Sequence, residues 1–335
     1  MPLVLSLPRL LAREAYPPAP SLARLIAFAN APAREDDGVA AALAPLYGVH
    51  RQTDWPLAPI RAAALGLDPA DAYWLVANPV TLAAGRDDVR LEGAVRDLST
   101  DDARALITTL NAHFDTDGIT FVAPRPDAWF VRAAKPAALA TRSLDSVRGR
   151  TLRALLPDGP DARTWRRWQN EIQMLLFEHP VNLARERDGK PPANSVWFEG
   201  GGTMPSRERA AGPVIRTWCD RDDTVAALAA FAGQPARPLP GSLDPVIAGA
   251  ARNDTLVVAF DDPIDIEQIE RLFAAPARNA LDRGVVDGVT IIADGAGAAL
   301  VWRSQRPSLW MRISSRFSQP DVATLVQAQQ AEEER

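Results

Sequence analysis

The chain has 335 residues, of which 47% are hydrophobic and 24% charged, as expected for a globular protein with two domains or one large one. Its formal net charge of −5 excludes a protein that attracts nucleic acid through a global basic field. A single cysteine, Cys219, excludes an intramolecular disulfide framework and a cysteine-rich zinc site.

The amino terminus carries the apolar run LVLSL, which Pro8 and Arg9 interrupt. A secretory signal has a basic start and a longer apolar stretch, so we expect a strand and a turn here. The sequence contains no apolar stretch as long as the roughly 18 residues that mark a membrane span. It therefore predicts a cytoplasmic protein that does not contact a membrane. We also expect no nucleic-acid partner and no cofactor.

Short helices and turns are predicted between this strand and a buried strand further along the chain. Ser21 is a residue type that caps helices, and apolar residues follow it at helical spacing. Asn78 and Pro79 are expected to end the strand, at a place where polar site residues often lie. The predicted elements are a helix from 21 to 28 or 29, helices over 37–46 and 60–65, and a strand over 72–77.

The middle of the chain has clearer signals. Ser99 is a strong N-cap with Asp102 at the third helical position, which predicts a helix reaching about His113. Two alternating runs joined by a proline-bearing turn predict a hairpin. The other elements follow apolar periodicity. They are strands over 87–97, 119–122 and 129–132, and helices over 151–156 and 162–177.

Strands and helices alternate in the last third of the chain, and the strands are apolar. This pattern predicts a parallel α/β sheet, with a mixed α+β insert in the middle of the chain. The expected elements are strands over 213–218, 254–260, 289–293, 299–302 and 310–313, and helices over 222–232, 244–251 and 266–281.

The segment 178–202, EHPVNLARERDGKPPANSVWFEGGG, concentrates polar side chains, prolines and glycines. We interpret it as a loop built for polar recognition. Arg185 and Lys190 are candidates for binding an anionic ligand, and Gly200 and Gly201 would let backbone N–H groups approach an anion. His179 is either a helix C-cap residue or a ligand contact.

Two asparagines of the same segment, Asn182 and Asn194, have two interpretations. Each either ties the loop to itself through side-chain-to-backbone hydrogen bonds or contacts a ligand. The sequence leaves both interpretations open.

The pattern HPVNxxRxxxGKPPANxxWxxGxG resembles the archaeal-type 2,3-bisphosphoglycerate-independent phosphoglycerate mutases, which are members of the alkaline phosphatase superfamily. The likeness continues through AALGLDPADAYWLVANPVTL, LSTDDARALITTLN, WFVRAA and SLDSVRG, and so spans about 62–202. It implies ligand-binding roles for Asn78, Arg132, Asp145 and Arg148. Leu144 stands where the family has a histidine.

The resemblance implies an alkaline-phosphatase-like α/β core over 1–61 and 203–325, with an inserted α+β domain over 62–202. Such a core holds two divalent metals with a hydroxyl nucleophile and several Asp and His ligands. This sequence departs from that pattern. Pro8 and Arg9 replace the Asp-Gly expected after the first strand, DTLVVAFDDPID lacks a histidine, and Gly295 replaces the histidine after Asp294.

Asp261, Asp262 and Asp294 offer oxygen ligands that suit Mg²⁺. Acidic loops after strands also occur as solvated caps of the helices that follow. The chain has three histidines, His50, His113 and His179, and none lies in its last third, where the ligands should cluster. The sequence therefore predicts no catalytic residues and no metal site.

The leading hypothesis is a non-catalytic relative of cofactor-independent phosphoglycerate mutase with a regulatory or metabolite-sensing role. The expected ligand is a small phosphorylated or carboxylated metabolite near the segment 178–202. One alternative is an active mutase or phosphatase with an unusual Asp-only metal site. The other alternative is a pure protein-interaction module, with a protein partner or a homo-oligomer.

Overall fold

The structure is a computed structural model that describes residues 1–13, 15–84, 89–147, 156–206, 213–220, 223–261, 264–295, 297–306 and 321–326. The chain divides into two compact units. The first unit is Met1–Tyr47 with Arg209–Arg335, and the second is Gly48–Glu208.

The strands, in chain order, are β1 (Pro2–Leu7), β2 (Ala33–Glu35), β3 (Tyr73–Ala84), β4 (Val89–Ala94), β5 (Ile119–Arg125), β6 (Ala128–Ala133), β7 (Ser195–Gly202), β8 (Ile215–Trp218), β9 (Thr255–Ala259), β10 (Gly288–Asp294) and β11 (Ala299–Gln305). The helices are α1 (Pro20–Ala27), α2 (Val39–Leu43), α3 (Leu57–Ala64), α4 (Thr100–His113), α5 (Leu144–Val147), α6 (Ala162–Phe177), α7 (Pro180–Arg187), α8 (Asp223–Phe231), α9 (Asp244–Ala248), α10 (Ile266–Ile269) and α11 (Ala275–Arg283). A π-helical segment, Glu270–Ala274, joins α10 to α11.

The first unit is built on a mostly parallel sheet in the order β2-β11-β10-β1-β9-β8. β10, β1, β9 and β8 run parallel, and β11 and β2 extend the sheet in antiparallel orientation. Helices α1 and α11 contact each other and share a core cluster with Leu3, Leu5 and Leu7 of β1. Helices α2 and α8 contact each other and lie against β10 and β8.

The second unit is built on an antiparallel sheet in the order β4-β3-β6-β5, with β7 also paired to β3. Side chains alternate between its two faces because successive residues of a strand point in opposite directions. Tyr73 and Leu75 pack with Trp165 and Ile172 of α6. Trp74 and its neighbours pack with alanines of α3. The sheet is therefore covered by helices on both faces.

The predicted fold class, an α/β protein with a mostly parallel sheet and an α+β insert, is confirmed by these two sheets. The predicted domain boundaries, 61/62 and 202/203, both fall inside the second unit. The physical reason for the first difference is helix α3, which packs on β3 and β7 of the second unit.

Several predicted elements are confirmed. Ser99 caps α4, and its side chain accepts a hydrogen bond from the Asp102 N–H. The hairpin of β5 and β6 and the whole of α6 lie where the sequence placed them. The predicted strand over 310–313 and residues 151–155 of a predicted helix lie outside the described residues.

Two local predictions are wrong. Ser21 does not cap α1, which begins at Pro20; instead the Glu270 carboxylate accepts from the N–H groups of Ser21 and Leu22, at 2.9 and 3.0 Å. Strand β3 also continues past Asn78 and Pro79 to Ala84. A proline is accommodated there because its carbonyl still accepts a hydrogen bond, from the Val95 N–H at 2.8 Å.

Among the described helices, none has the length and apolarity needed to cross a bilayer.

Candidate functional site

The segment 178–202 is a helix and a strand joined by a short connection, not the loop that its composition suggested. His179 begins helix α7 as its N-cap, with Pro180 at the first helical position, where a missing N–H has no cost. The predicted C-cap interpretation of His179 is therefore wrong. Its Nδ1 accepts from the Val181 N–H at 3.2 Å, and its Nε2 lies 3.1 Å from the Thr109 hydroxyl. Burial lowers the pKa of His179, which favours the neutral ring.

The two asparagines of this segment bond to the chain itself. Asn182 donates to the carbonyls of Leu176 and Ala193 at 2.8 and 3.0 Å, and accepts from the Ala193 N–H at 2.9 Å. Asn194 exchanges two hydrogen bonds with the backbone of Leu82, at 2.8 and 2.9 Å. Of the two interpretations left open by the sequence, the geometry favours the structural one, and ligand contact stays a prediction.

The two cations of the segment differ in exposure. The Arg185 side chain is 5% exposed; its Nη2 lies 2.5 Å from Asp97 Oδ1, and its Nε donates to the Pro191 carbonyl at 2.9 Å. Lys190 is exposed. A ligand that used Arg185 would have to displace Asp97, whereas Lys190 remains accessible.

The glycines at the end of β7 lie where other parts of the second unit approach closely. The Gly201 N–H donates to Asp54 Oδ2 at 3.1 Å, and the Gly200 N–H donates to the Thr141 hydroxyl at 3.0 Å. A Cβ added at Gly201 would lie 2.3 Å from the Tyr73 hydroxyl. These N–H groups thus have partners within the chain, and anion binding by Gly200 and Gly201 stays a prediction.

Asn78 forms a hydrogen bond with Glu199 of β7, a residue that the sequence analysis missed. Asn78 Nδ2 donates to Glu199 Oε1 at 2.9 Å, and the Leu144 N–H donates to Oε2 at 2.5 Å. Arg61 Nη1 of α3 lies 3.5 Å from Oε1. Burial raises the pKa of Glu199, while Arg61 and these two hydrogen bonds act in the opposite direction. Its signal in the sequence is one acid within the run VWFEGGG, whose other residues are apolar or glycine.

Among the described residues, the others implied by the resemblance make no hydrogen bond to Glu199. Arg132 on β6 and Asp145 on α5 are exposed. Asp145 acts on the Glu199 carboxyl only as a further negative charge, which raises its pKa. Arg148 lies outside the described residues.

In the first unit, the carboxyl ends of β1, β9 and β10 lie at one edge of the sheet because these strands are adjacent and parallel. Asp294 ends β10 and is 5% exposed, and its Oδ1 accepts a hydrogen bond from the Arg9 N–H. Arg9 has a φ of 54°, in the left-handed region. The turn after β1 is therefore held by the Asp294 carboxylate. Asp261 is half-buried, and Asp262 lies outside the described residues.

The residue after Asp294 has no room for a side chain. A Cβ added at Gly295 would lie 2.5 Å from the Cβ of Leu11 and 2.9 Å from its carbonyl carbon. The helical turn Leu10–Ala12 thus fills the place where the resemblance expects a histidine ligand. Within the described parts of the chain, no three His, Cys, Asp or Glu residues are grouped so as to hold a metal ion. The described residues at this edge do not fit a two-metal centre.

No protein-family model matches the chain. The 2,3-bisphosphoglycerate-independent phosphoglycerate mutase of Methanosarcina mazei is 30% identical over 160 residues, covering 42% of this chain and 40% of that protein. The corresponding protein of Methanosarcina barkeri is 30% identical over 151 residues, covering 44% and 37%. A probable member from Geobacter sulfurreducens is 26% identical over 199 residues, covering 57% and 44%.

Two solved structures overlap with most of the chain at low similarity. A cofactor-independent phosphoglycerate mutase from Thermoplasma acidophilum has a TM-score of 0.37 and 15% identity, covering 91% of this chain and 89% of that one. The PH0037 protein from Pyrococcus horikoshii has a TM-score of 0.43 and 16% identity, covering 90% and 87%.

The sequence matches agree with the motifs quoted above. The matched part of this chain spans about two fifths of the length of the curated relatives. The chain is thus related, at low identity, to the archaeal-type 2,3-bisphosphoglycerate-independent phosphoglycerate mutases.

Proposed function

We propose that the chain is a non-catalytic relative of the cofactor-independent phosphoglycerate mutases, with a regulatory or metabolite-sensing role. The observation that carries the proposal is the contact of Leu11 with Gly295, beside the hydrogen bond from the Arg9 N–H to Asp294. The edge of the sheet that would hold a metal centre is occupied by the chain's own turn.

The Asp294 carboxylate has a structural task that competes with metal binding. If it turned towards a metal ion, the Arg9 N–H would lose its acceptor. A hydrogen bond to a charged group contributes about 1.5–3 kcal/mol. Directly after β9, Phe260 packs edge-to-face on Phe273 with ring centroids 4.7 Å apart.

Imidazole ligands are missing from the first unit's own sequence. His50, His113 and His179 all belong to the second unit. A metal centre in the first unit would therefore depend on carboxylates, of which Asp294 already holds the turn after β1. The engagement of Asp294 in this turn supports the non-catalytic proposal over the Asp-only alternative.

The test is an assay of 3-phosphoglycerate conversion with added Mn²⁺, Mg²⁺ or Zn²⁺, together with the metal content of the purified protein. We expect no conversion and no stoichiometric metal. Conversion that is lost in Asp294→Asn would contradict the proposal. Asparagine keeps an acceptor for the Arg9 N–H, and a denaturation curve of the variant separates loss of activity from misfolding.

A protein-interaction role is the second candidate, favoured by apolar residues on the surface of α6. Met174 and Phe177 are three positions apart on this helix and are 77% and 61% exposed. Exposed apolar side chains that lie together often mark a contact surface. If the chain self-associates through this surface, Phe177→Ser should lower its mass in light scattering.

A further inference from the structure

The second unit contains a cavity of about 430 Å³ whose lining includes neither Glu199 nor any residue of the segment 178–202. Its walls come from residues 116–119, residues 133–137 and the first two turns of α6. Small-molecule pockets in proteins have volumes of roughly 300–1,000 Å³. The cavity is therefore large enough for a metabolite.

The walls of this cavity are fixed by hydrogen bonds and ring packing. Asp161 Oδ2 accepts from the Ala138 N–H at 2.7 Å, and the Asp161 N–H donates to the Ala138 carbonyl at 3.3 Å. Trp165 and Trp168 are buried and pack edge-to-face with ring centroids 5.0 Å apart. A pocket held in this way is organised before a ligand arrives, which lowers the entropic cost of binding.

Three charged side chains line the cavity, and each keeps unused hydrogen-bonding capacity. Lys135 is exposed, and its ammonium group has no partner among the described residues. Asp117 uses Oδ1 to accept from Trp168 Nε1 at 3.3 Å, and Asp161 uses Oδ2 for Ala138. The second oxygen of each carboxylate has no partner in the part of the chain that the structure describes.

We infer that this cavity binds a small zwitterion, a ligand with one carboxylate and one ammonium group, such as a free amino acid. Lys135 pairs with the ligand carboxylate, and the free oxygens of Asp117 and Asp161 accept from its ammonium group. The indoles of Trp165 and Trp168 supply the apolar surface. Charge-assisted hydrogen bonds of this kind are about twice as strong as neutral ones.

The charges also select against other ligands. The two aspartates outweigh the one lysine, so a phosphate ester with two negative charges would be repelled. The inference rests on the metabolite-sensing part of the proposed function and narrows its ligand to the carboxylated class, with an amine in addition.

The test is a thermal-shift and calorimetric screen of the whole chain against the standard L-amino acids. For an amino acid that binds, the matched probes are the acid without its amine, the amine without its carboxylate, and 3-phosphoglycerate. We expect binding of the amino acid alone. Removal of one charged hydrogen bond should weaken binding about ten- to a hundredfold.

The informative variants are Lys135→Met and Asp161→Asn, since asparagine keeps the acceptor for the Ala138 N–H. The controls are Arg163→Met and Asp115→Asn, which remove exposed charges near the cavity that do not line it. Binding lost in the first pair and kept in the second supports the inference. The inference is overturned if no amino acid binds, if binding survives Lys135→Met, or if 3-phosphoglycerate binds as well.

The outcomes separate this site from the wider proposal. Mutase activity without amino-acid binding would contradict both. Absence of both activity and amino-acid binding would remove only this ligand class and leave the non-catalytic proposal in place.

Discussion

Arg61 Nη1 and Glu199 Oε1 lie 3.5 Å apart inside the second unit, with side chains that are 14% and 16% exposed. An ion pair in such a position is weak support for stability as a pair, because both charges have lost their hydration. Removal of one partner is strongly destabilising, because it leaves the other charge buried without compensation. We therefore expect the effects of substitutions at Arg61 and Glu199 on stability to be strongly coupled.

We expect Arg61→Met to lower the free energy of unfolding by about 3 kcal/mol, because it leaves Glu199 without a cation. The double variant Arg61→Met/Glu199→Gln should recover much of that loss. Urea denaturation of the wild type, both single variants and the double variant gives the coupling energy. The control is the same cycle built from Arg104→Met and Asp101→Asn, because these two side chains are 69% and 88% exposed. An exposed pair contributes roughly 0–1 kcal/mol. A coupling energy no larger than that of the control would contradict this account.

Glu199 also predicts a pH dependence. Burial raises its pKa in the folded state above the ordinary 4.5 of the unfolded state. At a pH between the unfolded and the folded pKa, the folded state therefore holds a proton that the unfolded state has released. The stability contributed by this group is full below the unfolded pKa and is lost as the pH rises through the folded pKa. Glutamine does not titrate, so we expect Glu199→Gln to remove this loss. The free energy of unfolding of the variant should therefore increase relative to that of the wild type as the pH rises through this interval. Denaturation curves at several pH values in this interval test the prediction. A difference in the free energy of unfolding between variant and wild type that does not change with pH would refute it.

The close approach of Tyr73 to Gly201 gives a third prediction. The Tyr73 hydroxyl is buried without a hydrogen-bond partner among the described residues, and burial raises its pKa. Tyr73→Phe removes this unsatisfied group and should stabilise the protein by about 1 kcal/mol. Gly201→Ala places a Cβ 2.3 Å from the same hydroxyl and should cost about 1–3 kcal/mol.

The cost of Gly201→Ala should be smaller in a Tyr73→Phe background, because the nearest atom is then absent. Gly241→Ala is the control, since a Cβ there would meet nothing within 4 Å. Equal costs in both backgrounds, measured by denaturation, would show that the hydroxyl is not the source of the crowding.

The contrast between Ser99 and Gly201 explains what the sequence can predict. Ser99 bonds to a residue three positions away, so its role as a cap is visible in local spacing. Gly201 contacts Asp54 and Tyr73, which are far away in the chain. Three glycines in a row indicate a loop when only neighbours are considered, and only the packed sheet explains why they lie in a strand.

The same distinction applies to the candidate sites. Gly295 could be recognised from the resemblance as a missing ligand, but its contact with Leu11 could not. Glu199 was missed because its partners come from α3, β3 and α5, which no periodic pattern brings together.

The contact between Gly295 and Leu11 predicts that a histidine at this position will not create a metal site. Gly295→His must move the turn Leu10–Ala12, so we expect a loss of stability of at least about 3 kcal/mol. We also expect no uptake of Zn²⁺ or Mn²⁺, measured by calorimetry. Gly241→His adds the same side chain at an open position and serves as the control. Stoichiometric metal binding by Gly295→His alone would show that the edge can still form a metal centre.

The last prediction concerns His179. A substitution can separate its role as the N-cap of α7 from its change of charge with pH. Burial lowers its pKa below the ordinary 6.5, so the unfolded state takes up a proton before the folded state does. The stability that it contributes is present above the unfolded pKa and is lost as the pH falls through the folded pKa. Asparagine is a strong N-cap residue that does not titrate. We therefore expect His179→Asn to match the wild type above pH 6.5 and to lose less stability as the pH falls below it.

Denaturation at a series of pH values measures this difference. His50→Asn, which removes an exposed imidazole in the same unit, should show the full loss of the wild type. A parallel fall of His179→Asn and the wild type would mean that His179 is not the group responsible. A uniform loss in His179→Asn at every pH would instead assign its main contribution to the Nε2 contact with Thr109, which asparagine cannot reach.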